Sequence, residues 1–163
     1  MPDTMAAIPS SLQAQVEALL YDAARFIDDD RWEVWVDLFT ADGVYKIVSR
    51  ENHQAGLPLG IVYCDSRDMI GDRILSLRKA NIYNLHYDRH FVTNVRIVES
   101  TGGVHTVNSN YAVYQSTPAG ESSLFSIGKY ADQVVIEDGA ARFKERIVIV
   151  DTGAVKNLIS SPL

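Results

Sequence analysis

Cysteine is almost missing from this sequence, and its scarcity excludes several kinds of site. The 163 residues contain one cysteine, Cys64. An intramolecular disulfide, a zinc site made of thiolates alone and an iron–sulfur cluster with two or more cysteine ligands are therefore excluded. Cys64 follows an apolar stretch and precedes Asp65, so we expect a buried, unreactive thiol. A chain without disulfides is typical of a reducing compartment, and we expect a cytoplasmic protein.

Basic residues are in the minority, and long apolar runs are missing. Lys and Arg number 15 against 21 Asp and Glu, a net charge of −6, which argues against a nucleic-acid-binding surface. No stretch approaches the ~18 consecutive apolar residues of a membrane span. The first residues, MPDTMAAIPSS, carry an acid where a secretory signal has a basic run. We therefore expect no nucleic-acid partner and no membrane partner.

The remaining composition is that of an ordinary globular protein. Hydrophobic residues make up 47% of the chain and charged residues 22%, as in folded domains. The length favours one domain over residues 1–163, with residues 1–9 as a flexible N-terminal tail.

Helical spacing of apolar residues dominates the first half of the chain. From Leu12 to Ile27 they recur every three or four residues, which predicts a helix with Ser10 or Ser11 as its N-cap. Asp30 is predicted to cap a second helix, which carries an aromatic face made of Trp32, Trp35 and Phe39. A third helix is predicted to begin at Asp65 or Ser66 and to end near residues 80–81. Between the second and third helices we expect a turn at 42–43, strands at 44–48 and 61–63, and a loop over 50–60.

The second half of the chain has the two-residue period of strands. Four long strands are predicted, at residues 89–99, 104–117, 123–137 and 141–151, and short turn sequences separate them. Such connections make neighbouring strands antiparallel. Strands this long have to curl to stay covered. The expected fold class is α+β, a cone in which N-terminal helices pack against the concave face of a curved antiparallel sheet.

Two histidines and an aspartate raise the possibility of an iron site. His86 and His90 are four residues apart with Asp88 between them, and a facial triad of two histidines and one carboxylate binds iron in some oxygenases. The segment lies between a helix end and a strand start, where this spacing has no helical meaning. We therefore predict no metal ligand and no catalytic residue here; the histidines would form ordinary hydrogen bonds.

One possible function is that of a stand-alone isomerase or dehydratase that uses an acid or base in a pocket of the cone. A carboxylate or imidazole on a pocket wall becomes a base when burial and neighbouring groups tune its pKa. The candidates under this alternative are Tyr21, Asp22 and His90, with Asn110 as a polar neighbour. Tyr21 could equally be a core residue and Asp22 a solvated one.

Several sequence blocks together resemble the small (beta) subunit of aromatic-ring-hydroxylating dioxygenases. The similarity extends from about residue 12 to the final Pro162–Leu163. Residues 52–57, 60–62 and 80–83 resemble the branch that acts on carboxylated aromatics such as terephthalate, anthranilate, salicylate or benzoate. The blocks that carry the overall resemblance are LYDAA (20–24), DDDRWEVWVDLF (28–39), DSRDMIGDR (65–73), RHFVTNV (89–95), SNYAVY (109–114) and GKY (128–130).

The resemblance implies a cystatin-like cone of the nuclear-transport-factor and SnoaL type. It also implies a division of labour. In the family the large (alpha) subunit carries the Rieske cluster and the mononuclear iron, electrons come from NADH through a separate reductase, and the small subunit binds no cofactor. The small subunit forms a trimer beneath three large subunits, giving α3β3. One cysteine cannot supply the two that a Rieske centre needs.

Several charged and aromatic residues are the candidate subunit contacts. Buried charges are costly unless they are paired, and aromatic and Arg anchors are favoured in interface cores. The apolar C-terminal residues 157–163 are expected to dock rather than to stay free. The candidate interface residues are Asp72, Arg73, Tyr83, Tyr87, Arg89, Tyr130 and Arg146. Simple pairing within the chain is the other possibility for the charged ones.

Overall fold

The computed structural model describes residues 10–80, 85–153, 155 and 159–163. The helices are α1 (Ser10–Asp28), α2 (Trp32–Val36), α3 (Arg50–Gln54) and α4 (Arg67–Ala80). The strands are β1 (Phe39–Ser49), β2 (Val62–Cys64), β3 (Tyr87–Thr101), β4 (Val104–Ser116), β5 (Ser122–Glu137) and β6 (Ala140–Val150). The expected tail at 1–9 lies outside the described residues. Among those residues, no helix combines the length and apolarity that crossing a membrane requires.

One six-stranded sheet, in the order β2-β1-β6-β5-β4-β3, organises the molecule. Strands β3 to β6 follow one another as antiparallel hairpins, as predicted, and each begins and ends within two residues of its predicted bounds. Strand β1 was not foreseen beside β6, and the two strands run parallel. This pairing brings the first half of the chain onto the edge of the hairpin sheet.

The helices cover one face of the sheet, which confirms the predicted α+β architecture. Helix α1 buries the stripe of Val16, Leu20, Ala23 and Ile27 that its spacing predicts. Trp35 of α2 lies at the centre of the core, where its ring meets Phe39 and Tyr45 edge-on at centroid distances of 5.1 Å each. Such edge-to-face contacts add to the stabilisation that burial gives.

The boundary between α2 and β1 differs from the prediction. Phe39 is the first residue of β1 rather than the last of the aromatic helix, because the chain pairs with β6 from this point. Asp42 and Gly43 form an irregularity inside β1, where the register shifts between Phe39 and Val44, and not a turn before the strand. Tertiary pairing with β6 therefore overrides the local Asp-Gly turn signal.

The starts of the helices agree with the prediction in one case and differ from it in two. Ser66 caps α4, accepting a hydrogen bond from the Met69 amide at 3.2 Å, as predicted. Asp30 does not cap α2: its φ is 58°, and its carboxylate binds Arg78 instead. The expected loop at 50–60 contains α3, which Ser49 caps by accepting from the Asn52 amide.

Candidate functional site

A buried ion pair lies inside the cone, between β5 and β6. Asp132 and Arg146 are register partners on these strands, and their side chains are no more than 1% exposed. The Arg146 guanidinium donates to both carboxylate oxygens, at 3.0 and 2.8 Å. It also lies over the rings of Tyr130 and Phe143, at 4.1 and 4.2 Å from their centroids. Both charges are therefore neutralised within the chain.

Three tyrosines fill the space beside this pair. Tyr111 stacks on Tyr130 at a centroid distance of 4.6 Å, and its hydroxyl shares a hydrogen bond with Ser126 at 2.9 Å. Burial raises the pKa of Tyr130 and Tyr111 well above the ordinary value, and it raises the pKa of Tyr45 to about 12. All three phenols stay protonated at neutral pH, so none of them is a ready base.

The segment Ile159–Leu163 closes the cone. All five of its residues are buried. The Tyr45 hydroxyl accepts from the Leu163 amide at 3.0 Å and donates to the Leu163 carbonyl at 3.2 Å. The space between this segment, Tyr45, Ile70 and Arg73 leaves no room for a water molecule. The expected docking of the C-terminal residues is found for this described part.

A second polar centre lies where α1 ends beside the start of β3. The Asp28 carboxylate, 5% exposed, accepts from the His90 backbone amide at 3.0 and 3.1 Å. It also pairs with the His90 ring, with 2.6 Å between Oδ1 and Nδ1. Gln13 of α1 donates to the Val95 carbonyl at 3.1 Å. Helix α1 thereby satisfies backbone groups of the sheet-edge strand β3, which protects this edge from pairing with another chain.

A cleft opens next to this contact. It has a volume of about 160 Å³, and Asp88 is the buried carboxylate at its wall, with a side chain 8% exposed. Ser161 donates to Asp88 Oδ2, whereas Oδ1 has no hydrogen-bond partner among the described residues and lies 3.6 Å from His86 Nε2. We call this space the acidic cleft; it is lined by Ile27, Asp28, Asp30, Trp32, Leu85, His86, Tyr87, Asp88, Ser160 and Ser161.

Arg78 of α4 holds one side of the acidic cleft. Its guanidinium bonds Asp30 at 2.6 Å and Glu33 at 3.0 and 3.1 Å, and it lies 4.2 Å from the ring centroid of Trp32. Hydrogen bonding to Arg78 lowers the pKa of Glu33, so this carboxylate is ionised at neutral pH. Asp30 and Glu33 therefore have a cation of their own.

The acid–base candidates do not form a site. Tyr21 is 49% exposed on α1, and Asp22 pairs with Arg25 of the same helix at 2.9 Å. His90 is buried against Asp28 at the C-terminal end of α1. Asn110 is exposed on the outer face of the sheet. The fold therefore keeps the exposed Tyr21 and Asp22, the buried His90 and the outer-face Asn110 apart.

The interface candidates divide into core and surface residues. Tyr130 and Arg146 are core residues of the chain, 2% and 1% exposed, so they offer no accessible surface for a contact. Asp72 is exposed on α4, and Arg73 is half-buried beside the closing segment. Tyr83 lies outside the described residues.

Tyr87 and Arg89 lie together on the face of the sheet that the helices leave uncovered. Arg89 is in register with Tyr114, which is in register with Leu124. Phe91 meets Tyr114 edge-on at 5.7 Å between ring centroids. We call this group the outer-face patch; it consists of Tyr87, Arg89, Phe91, Tyr114, Leu124 and Ile127, all exposed.

The histidines, the aspartate and the cysteine that were considered as metal ligands or reactive groups have other surroundings. His86, Asp88 and His90 alternate along one face of an extended segment, and among the described residues no group of three His, Cys, Asp or Glu side chains is arranged to hold a metal ion. Cys64 is buried, and burial raises the pKa of its thiol, as expected for an unreactive cysteine.

Sequence reasoning missed the buried carboxylates. The burial of Asp28, whose side chain is 5% exposed, was not predicted. A signal existed, because a carboxylate at a helix C-terminus opposes the helix dipole and needs a compensating partner. Asp132 and Asp88 occupy inward positions of alternating strands, where a charged residue predicts a buried partner.

Most of the chain is similar to subunits of known oxygenases. A family described as the ring hydroxylating beta subunit matches residues 22–157. The small subunit of anthranilate 1,2-dioxygenase from Burkholderia cepacia is 43% identical over 137 residues, which cover 84% of this chain and 85% of that protein. Subunit beta 1 of the terminal oxygenase component of terephthalate 1,2-dioxygenase from Comamonas is 34% identical over 151 residues, 93% of this chain and 98% of that protein.

A solved structure has the same fold. It is described as the beta subunit of an aromatic-ring-hydroxylating dioxygenase from Novosphingobium aromaticivorans, and it superposes with a TM-score of 0.85 at 34% identity. The superposition covers 94% of this chain and 97% of that one.

Proposed function

Because the chain belongs to the family of ring-hydroxylating dioxygenase beta subunits, we propose that it acts as the non-catalytic assembly subunit of an oxygenase. Its partner is the large (alpha) subunit, and the complex has the composition α3β3, with the small subunits forming a trimer. The active site, the Rieske cluster and the mononuclear iron belong to the large subunit, and NADH delivers electrons through a separate reductase.

The filled interior of the cone is the observation that carries this proposal. The Asp132–Arg146 pair, the buried tyrosines and the segment Ile159–Leu163 occupy the concave side of the sheet. An enzyme of this architecture needs a cavity that admits substrate next to a tunable acid or base. Among the described residues, Tyr21 and Asp22 are exposed or solvated and His90 is bound to Asp28, which favours the assembly role over the alternative of an isomerase or dehydratase.

The single cysteine supports the location of the cofactors in the partner. A Rieske centre takes two cysteines and two histidines, and this chain has only Cys64. His90 is bound to Asp28, and His86 lies beside Asp88. These residues do not fit either iron site, so the chain's contribution is to hold and orient the subunit that carries the iron.

The outer-face patch supports the association into a trimer. Aromatic and aliphatic side chains stand exposed together on a sheet face that a free antiparallel sheet usually makes polar. Tyr87, Phe91 and Tyr114 have the residue type that interface cores favour, and Arg89 is a typical hydrogen-bonding anchor. We propose that copies of the small subunit meet through this patch.

The relatives suggest the substrate class. Two of them are named for dioxygenases of anthranilate and terephthalate, which are aromatic carboxylates. We propose that the oxygenase acts on an aromatic carboxylate, with the substrate pocket in the large subunit.

Co-expression with the large subunit encoded beside it tests the assignment. We expect the two chains to co-purify, native mass spectrometry to give three copies of each, and iron to follow the large subunit. The isolated small subunit should contain no stoichiometric iron or sulfide. Iron in the isolated chain, or consistent failure of the two chains to co-purify, would contradict the proposal.

A further inference from the structure

Four carboxylates lie in or beside the acidic cleft. Asp28, Asp30 and Asp88 line it, and Glu33 shares Arg78 with Asp30 next to it. Asp28 is satisfied by the His90 ring and amide, and Arg89 lies 3.8 Å from it. Among the described residues, Asp88 is the one of these four that no Lys or Arg contacts; its neighbour is the His86 ring.

The hydrogen bonds of the Asp88 carboxylate are incomplete among the described residues. Its side chain is 8% exposed, and one oxygen accepts from Ser161. The other oxygen has no hydrogen bond among the described residues, although the His86 ring lies 3.6 Å away. A buried carboxylate with an unfilled oxygen is costly unless another group completes its hydrogen bonds. Nothing in the Ser161 contact requires a carboxylate, because an amide oxygen would accept the same bond.

The shape and rim of the cleft suit one inserted side chain. Its volume of about 160 Å³ is larger than a few water molecules and smaller than a typical substrate pocket. Ser160 and Ser161 add hydroxyl oxygens to its wall, and Trp32 and Tyr87 add aromatic faces, to which cations are attracted. Leu85 and Tyr87 stand exposed beside it, 63% and 58%, as apolar anchors around a contact would.

We propose that the acidic cleft receives a cationic side chain, a guanidinium or an ammonium, from the large subunit, with Asp88 as its main acceptor. This inference rests on the proposed function, because it names the partner's contact. A free metal ion fits less well, since no three ligating side chains of the described residues converge here. The outer-face patch begins at the same strand end, at Tyr87 and Arg89, so the cleft marks where the trimer surface meets the large subunit.

Asp88→Asn in the complete complex is the direct test. The variant keeps an acceptor for Ser161 but removes the charge. We expect it to weaken association with the large subunit on the order of 30-fold, because truncation of one partner of a buried charge pair has that effect. The loss should shrink in high salt. Asp29→Asn is the matched control, a neighbouring exposed aspartate that does not line the cleft, and we expect a change of no more than about twofold.

Thermal unfolding of the isolated chain separates a contact role from a structural one. Asp88→Asn should leave its melting temperature unchanged or raise it, because an uncompensated buried charge is removed. Ser161→Ala should lower the melting temperature yet assemble normally, because Asp88 keeps its charge. If Ser161→Ala weakens assembly as much as Asp88→Asn does, or if Asp88→Asn assembles like the wild type, the inference is wrong.

A structure of the complex gives the final answer. We expect a Lys or Arg nitrogen of the large subunit within hydrogen-bond distance of Asp88. A cleft that holds only water in the assembled complex would overturn the inference while leaving the proposed function intact. If the wild-type chains do not assemble at all, the proposed function fails instead.

Discussion

Two buried aspartates, Asp132 in the ion pair inside the cone and Asp88 in the acidic cleft at its edge, differ in how far the described residues complete their hydrogen bonds. Asp132 receives two hydrogen bonds from Arg146, and two aromatic rings enclose the guanidinium. Asp88 receives one bond from Ser161 and has an oxygen without a hydrogen bond among the described residues. A pair that one chain completes by itself serves folding, whereas a carboxylate left incomplete near exposed anchors indicates a contact with another chain.

Breaking the interior pair should have the largest effect on stability. Arg146→Met leaves the Asp132 carboxylate buried without a partner, and we expect a loss of about 3–5 kcal/mol in the free energy of unfolding. Urea denaturation of the isolated chain measures it. The double variant Arg146→Met/Asp132→Leu is the control and should recover most of the loss, because no charge remains buried. A single variant that costs less than about 1 kcal/mol would show that the pair is not essential to the interior.

Alkaline pH should lower the free energy of unfolding through the buried tyrosines and not through the exposed ones. The pKa of Tyr45 rises from 10.0 in the unfolded chain to about 12 in the folded one, and the pKa values of Tyr111 and Tyr130 also rise. The folded state therefore holds protons that the unfolded chain loses. Stability is complete below pH 10 and falls between pH 10 and 12, by about 1.4 kcal/mol per pH unit for each phenol.

Urea denaturation at a series of pH values measures this loss. In Tyr45→Phe, the slope of the free energy of unfolding against pH should become smaller by about 1.4 kcal/mol per pH unit. Tyr21→Phe changes an exposed residue on α1 and should leave this slope unchanged. If the wild type and Tyr45→Phe have the same slope, Tyr45 ionises in the folded protein as it does in the unfolded chain.

Removal of Arg89 should have the smallest effect on folding and a clear effect on assembly. Its side chain is 64% exposed and lies 3.8 Å from Asp28, and such exposed pairs contribute about 1 kcal/mol or less. As an anchor of the outer-face patch, it should still matter between chains. Arg89→Ala should therefore keep the melting temperature of the isolated chain but lower that of the complex, measured by differential scanning calorimetry.

Arg25→Ala is the matched control for this prediction. Arg25 is also an exposed arginine paired with an aspartate, Asp22, but it lies on α1, away from the outer-face patch. It should affect neither the isolated chain nor the complex. Equal losses of melting temperature in the isolated chain and in the complex would refute an interface role for Arg89.

Local periodicity was enough to predict most of the elements. The stripe from Leu12 to Ile27 and the alternation after residue 87 each bury a face, so spacing and structure agree. The errors fall where pairing with a strand that is distant in sequence determines the local structure. Phe39 and Asp42 join β1 because β6 pairs with them, although their own neighbours favour a helix end and a turn.

The candidate site was harder to predict than the fold. Tyr87 and Arg89 were predicted as interface anchors, and the structure places them with Phe91 and Tyr114 on one exposed face. The buried contacts of Asp28 and Asp88 were not predicted, because their partners His90 and Ser161 are 62 and 73 residues away in sequence. The environment of a carboxylate depends on which groups the fold brings to it, and spacing along the chain does not contain that information.

The sequence by itself determined most of the residues that face inward, most of the helices and strands, and that a two-cysteine iron–sulfur centre cannot be built from this chain. These properties depend on composition and on near neighbours. The tertiary structure alone decided that Asp132 has its cation within the chain, that Asp88 meets no Lys or Arg among the described residues, and that the segment Ile159–Leu163 fills the cone. The physical reason is that a charge or an apolar segment acquires its stability from groups that are close in space, and only the folded chain sets those distances.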